Sequence, residues 1–129
     1  MTKRSVVHKE GLALNVNLKH SDFENVAYHD KSENKYYILE GTPVKVKAGD
    51  IKKNVVEVKP TGAAEKADGF IVGDTELKFY NDYETGTVLL SGVVYFDKIL
   101  EAIQDFKTPY TFTTTEMPAK IDHIYKNRV

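Results

Sequence analysis

Between Gly11 and His20 the chain reads GLALNVNLKH, with Leu12, Leu14, Val16 and Leu18 at every second position and Ala13, Asn15, Asn17 and Lys19 between them. Successive side chains of a strand point to opposite faces of its sheet, so strict period two specifies a strand with one face on a core and one toward water. The apolar runs downstream are equally short and are cut by glycine or proline. Val44, Val46 and Ala48 alternate with Lys45 and Lys47 before Gly49-Asp50, NVVEVK stops at Pro60 and Gly62, and Phe70–Val72 stops at Gly73-Asp74. Proline lacks the N–H that a ladder needs and glycine supplies turn conformations, so this punctuation predicts many short strands.

The remaining segments fit that frame. HSDFENVAYHDKSENKYYILEG is polar with scattered aromatics, which predicts a loop around Ser21-Asp22 and then a hairpin of Val26–His29 and Lys35–Glu40 turning at Lys31–Asn34. Ala63–Asp68 is a connector or one helical turn. TELKFYND and GTVLL are expected as strands separated around Tyr83–Gly86, and Ser91-Gly92 marks another break before VVYF. Asp97 is placed to cap a helix in which Ile99, Leu100, Ile103 and Phe106 form a single apolar stripe, ended by Thr108-Pro109. In the closing segment, Thr115 and Pro118 suit the start of a short helix followed by an extended tail, while Ile121, His123 and Tyr125 also fit a strand. The fold class expected is mainly β (β-rich α+β): a small barrel- or sandwich-like domain with one or two short helices and an extended N-terminal arm.

A chain of 129 residues is long enough to bury one core and too short for two ordinary domains, so residues 11–129 are read as a single domain. Residues 1–10 carry Lys3, Arg4 and Lys9 with no acid before Glu10, which suits a flexible, solvated N-terminal arm; a frayed terminus is the plainer reading. There is no cysteine, so packing or assembly rather than disulfides must supply stability. No apolar run reaches the length of a signal peptide or a membrane span, and neither secretion by that route nor a membrane partner is expected.

Residues able to do chemistry are present but not grouped. His8, His20, His29 and His123 are far apart, and His20 with Asp22 and His29 with Asp30 are the only local pairs, so no metal is expected. Ser5, Ser21, Ser32 and Ser91 lie in no nucleophile elbow, and no glycine-rich phosphate cradle occurs. Asp68, Asp74 and Glu76, and likewise Asp82 and Glu84, read as turn residues. No catalytic residue and no cofactor is expected, and the chain is read as a non-enzyme. Tyr36 and Tyr37 precede Lys45, Lys47, Lys52, Lys53 and Lys59, the ingredients of a nucleic-acid groove. Against that, the net charge is −1 and lysines on edge strands guard against unwanted pairing, so direct nucleic-acid binding is not expected.

Three segments carry a family likeness by their order and spacing: Gly41-Thr42-Pro43-Val44, then Ala67-Asp68-Gly69-Phe70-Ile71-Val72, then Gly86-Thr87-Val88-Leu89-Leu90-Ser91-Gly92-Val93-Val94 leading into Asp97–Phe106. In this the chain resembles the head decoration, or capsid cement, proteins of tailed bacteriophages, over Gly41 to about Phe106. The resemblance implies a structural virion protein, a homotrimer that binds the outside of the capsid and holds neighbouring major capsid protein subunits together. It further implies a place on the virion exterior, after assembly in the host cytoplasm. An N-terminal arm in such families often gains order by adding a strand to the lattice, a role that falls here on Lys3, Arg4, Val6, Val7 and Lys9 by position. The alternative is a small ligand- or carbohydrate-binding β-barrel module for host attachment, with Tyr28, Tyr36, Tyr37, Tyr80 and Tyr83 lining a cleft. Exposed tyrosines clustered on one face would favour that alternative.

Overall fold

A computed structural model describes residues 7–47 and 56–124. In chain order its strands are β1 (Val7–Glu10), β2 (Ala13–Lys19), β3 (Tyr28–Asp30), β4 (Lys35–Ile38), β5 (Pro43–Val46), β6 (Glu57–Pro60), β7 (Gly69–Val72), β8 (Thr75–Glu76), β9 (Tyr83–Leu89), β10 (Gly92–Tyr95) and β11 (Ile121–Ile124). Two helices, α1 (His20–Phe23) and α2 (Phe96–Gln104), and one 3-10 turn at Thr114–Glu116 complete the described elements. Five strands close a barrel in the order β2-β6-β5-β7-β9, with β9 returning antiparallel to β2 along its whole length. Two three-stranded sheets flank it, β1-β10-β11 and β3-β4-β8. The mainly β, barrel-like class with two short helices is what the sequence predicts.

The barrel walls explain the two kinds of apolar pattern. β2 alternates and sends Val16 and Leu18 into the barrel interior, where they meet Val44, Val58, Ile71 and Val88. β7 and β9 instead carry consecutive apolar residues because both of their faces are covered. Ile71 and Val88, paired across the ladder, point inward, while Phe70 and Leu89, the next pair, point outward into a second core under α2. That outer core gathers Phe96, Ile99, Ile103 and Phe106 from α2 and its exit with Phe112, Met117 and Ile121. Phe112 sits edge-on to Phe70 and stacks on Phe96, with centroids 6.1 and 6.0 Å apart. Gly69 is required where β7 meets β9: a Cβ there would lie 2.4 Å from the Leu89 carbonyl oxygen, which the ladder holds in place.

Several local expectations are corrected. Ser21-Asp22 belongs to the helical turn α1, whose Phe23 is fully buried in the inner core. Lys47 locks that turn to the barrel through Asp22, at 2.7 Å, and Glu57, at 2.5 Å. Burial alone would lower the Lys47 pKa, but hydrogen bonds to those two carboxylates prevail and hold it above the ordinary lysine value. Tyr83–Gly86, expected as a break, is strand, because every residue from Lys19 back to Ala13 finds a partner from Tyr83 to Leu89. Gly86 suits that ladder, since a Cβ there would crowd the Leu18 side chain at 2.8 Å.

Asp97 does not cap α2. Tyr95 occupies the cap position and Asp97 lies in the first turn, because Phe96 is already drawn into the outer core. TELKFYND is a strand only at Thr75–Glu76, after which the chain leaves the sheet. Near the C-terminus the expected helix shrinks to the 3-10 turn, and Ile121–Ile124 runs as a strand parallel to β10. Between Met117 and Ile121, both committed to the outer core, the chain makes one tight turn in which the Ile121 N–H donates to the Pro118 carbonyl at 3.2 Å. Tyr110 donates its hydroxyl to the Thr61 carbonyl at 2.8 Å, and burial, with Glu65 and Glu116 nearby, pushes its pKa up to about 12.

Candidate binding surfaces

The expected arm is divided by the fold. Lys3, Arg4 and Val6 lie outside the described residues, whereas Val7 and Lys9 belong to β1 and pair with Val94 and Val93 of β10, with a register shift between them. Among the described residues β1 is an edge: one side bonds to β10 and no strand bonds to the other.

Several of the residues named for chemistry hold backbone or one another. Asp68 accepts the Val46 N–H at 2.9 Å, and Asp74 accepts the Glu40 N–H at 2.8 Å while Glu40 accepts the Gly73 N–H at 2.8 Å. Ser91 accepts the Leu12 N–H at 2.8 Å, and Ser32 donates to Asp30 at 2.7 Å. Ser21 is exposed, and Ser5 lies outside the described residues. His8 is in β1 and His123 in β11, remote in sequence from His20 and His29. Among the described residues no three histidine, aspartate or glutamate side chains are grouped to hold a metal, and no helix is long and apolar enough to cross a membrane. The tyrosines of the nucleic-acid pattern part from its lysines, of which Lys45 and Lys59 are cross-strand partners on β5 and β6. Lys47 is engaged by two carboxylates, Lys45 lines an open groove with Lys66 and Lys120, Tyr36 and Tyr37 stand on β4 in another sheet, and Lys52 and Lys53 are outside the described residues.

The fold does bring together a surface on β4, β8 and the loop that follows. In the β3–β4 hairpin, Asn34 takes a left-handed conformation at φ 55°, which asparagine tolerates, and its Oδ1 accepts a hydrogen bond from the His29 ring at 2.9 Å. His29 faces Tyr36 across the ladder, so the two rings stack with centroids 4.3 Å apart and planes 11° from parallel. Tyr37 points to the other face beside its partner Tyr28. After β8 the Leu77 N–H donates to the Tyr36 carbonyl at 2.8 Å, and the chain turns at Lys78–Asn81.

Glu84 anchors that turn. It accepts hydrogen bonds from the Lys78 N–H and the His20 ring, both at 2.8 Å, and from the Asn81 amide at 3.3 Å. Burial pushes the Glu84 carboxyl up, but these donors outweigh it and hold its pKa below the usual glutamate value. A further bond from the His20 N–H to the Asp82 carbonyl, 2.9 Å, ties the loop to the end of β2.

The result is a hydrogen-bonded turn whose tip bears Phe79, 95% exposed, and Tyr80, 69% exposed, perpendicular to each other at 5.5 Å. Tyr36, Leu77, Phe79 and Tyr80 line a groove of about 440 Å³, and Tyr36, Leu77 and Phe79 also border a second of about 230 Å³ beside His20 and Ala27. Of the tyrosines expected to share a cleft, Tyr36 and Tyr80 do so. Tyr28 and Tyr37 are half-buried on the sheet, and Tyr83, though exposed, stands at the start of β9 and lines neither groove. Phe79 was hidden in the sequence by its place in an apparent strand. Comparison with protein-family models, curated proteins and solved structures finds no match to this chain.

Proposed function

We propose that the protein is a structural virion component that binds the outside of a phage capsid as a homotrimer and stabilises the lattice of the major capsid protein. The observation that carries this reading is the open edge of β1. A strand that follows directly from the basic leading segment and, among the described residues, bonds to another strand on one side only would suit pairing with a strand of a neighbouring chain. The residues behind the family likeness support it by their placement: Pro43–Val46, Gly69–Val72 and Tyr83–Leu89 are successive neighbours in the barrel wall, and the last runs through β10 into α2. Symmetric repetition over a shell would multiply small contacts into stable attachment.

The test is sedimentation of purified protein with matured and with unexpanded phage heads. Selective pelleting with matured heads, weakened when Lys3 and Arg4 are both replaced by glutamate, is the expected result. Pelleting with neither form of head ends the proposal.

A further inference from the structure

The aromatic groove lies on the β3-β4-β8 sheet, a different sheet from the one that carries β1, and nothing in capsid attachment through a strand edge accounts for it. The chain devotes a half-buried carboxylate, a histidine and an asparagine to fixing the turn that presents Phe79 and Tyr80 to water, and a stacked histidine to backing Tyr36. Leaving such rings exposed forgoes the free energy that burial would supply, and bracing the turn that carries them lowers the backbone entropy a ligand would otherwise have to freeze. At about 440 Å³ the groove falls in the ~300–1,000 Å³ range of small-ligand sites.

Its rim decides the ligand class. Glu33 and Glu76 alternate with Lys35 and Lys78, so charges of both signs balance and no single-sign field is offered to a polyanion or a basic peptide. A purely apolar partner would strip water from those carboxylates and ammonium groups without replacing it. A neutral ligand with apolar faces and hydroxyl-bearing edges meets both demands. Gluco-configured pyranose rings have that form: axial C–H bonds make both faces apolar for stacking on Tyr36 and Phe79, and equatorial hydroxyls reach outward to carboxylates, the Asn34 amide and lysines.

We propose that the groove between Tyr36, Phe79 and Tyr80 binds a neutral oligosaccharide of gluco-configured pyranose units. Stacking on the rings supplies the affinity and the Glu33, Asn34 and Glu76 side chains supply orientation. This reading is independent of capsid attachment and stands or falls without it.

The experiment titrates the full-length, isotope-labelled protein with maltohexaose, cellohexaose, laminarihexaose and chitohexaose at millimolar concentration, following amide signals and measuring affinity by calorimetry. At least one of the four is expected to shift the signals of Asn34, Tyr36 and Leu77–Tyr80. Phe79→Ala is then expected to lose about tenfold in affinity, and Tyr80→Ala a smaller factor, with the unfolding midpoint unchanged in both. The proposal is overturned if none of the four sugars moves those signals, or if binding survives Phe79→Ala intact. It is equally overturned if Phe79→Ala leaves sugar titrations flat while changing the oligomeric state, which would make the ridge a protein interface.

Discussion

The barrel wall and the β3-β4-β8 sheet use the same kinds of residue to opposite ends. In β7 and β9, Phe70, Ile71, Val88 and Leu89 are all fully buried, sandwiched between the barrel interior and α2. In the flanking sheet, Tyr36 and the neighbouring Phe79 and Tyr80 stand in solvent. The wall is held by apolar area, whereas the turn at Lys78–Asn81 is held by directed hydrogen bonds converging on Glu84. A turn whose rings are exposed cannot be fixed by burial, so polar groups behind it have to hold its backbone.

Phe70→Ala tests the buried side of this contrast and carries the largest expected effect. It removes the ring that joins barrel to helix layer, and a loss of about 3–5 kcal/mol is expected in denaturant unfolding. A loss below ~1 kcal/mol would show that α2 and its exit are held to the barrel by other means.

Glu84→Gln sharpens the contrast from the polar side, with an expected loss of about 1–2 kcal/mol at neutral pH. The sign of its pH dependence follows from a folded-state pKa below that of the unfolded chain. The stabilisation is present above the ordinary glutamate pKa of about 4.3 and fades as acid brings the folded carboxylate to its own lower pKa. Unfolding midpoints of the parent and variant, measured from neutral pH to about pH 3, should therefore converge in acid. A gap that widens there would mean that Glu84 does not act as an ionised anchor for Lys78, Asn81 and His20.

Phe79→Ala breaks the comparison most directly, because its expected effect on stability is close to nothing, within ~0.5 kcal/mol, against the large cost at Phe70. Thermal unfolding checks it. A cost approaching that of Phe70→Ala would mean that the ring is covered in the native protein by a second chain.

How far the fold could be read in advance varies with how local the cause is. The alternation from Leu12 to Leu18 identifies β2, yet only Val16 and Leu18 are buried, and Leu12 is 59% exposed because it lies before the ladder to β9 begins. The short runs around Ile71 and Val88 read as strands, but their two-sided burial depends on α2, which arrives later in the chain. Tyr83–Gly86 looks like a turn by composition and is strand because β2 pairs with it across more than sixty residues of sequence. The groove joins Glu33–Tyr36 to Glu76–Tyr80, and no local signal connects those two segments; the family likeness, which begins at Gly41, takes in only the second of them.

By itself the sequence determined a mainly β chain of short strands, because period-two alternation, glycine and proline act through neighbours a few bonds away. It also determined that no disulfide contributes, for want of cysteine. Only the tertiary structure decided which strands close into the barrel, which have both faces covered, and that Phe79 and Tyr80 are held in solvent beside Tyr36. Those outcomes depend on what covers each face, and the covering residues come from distant parts of the chain.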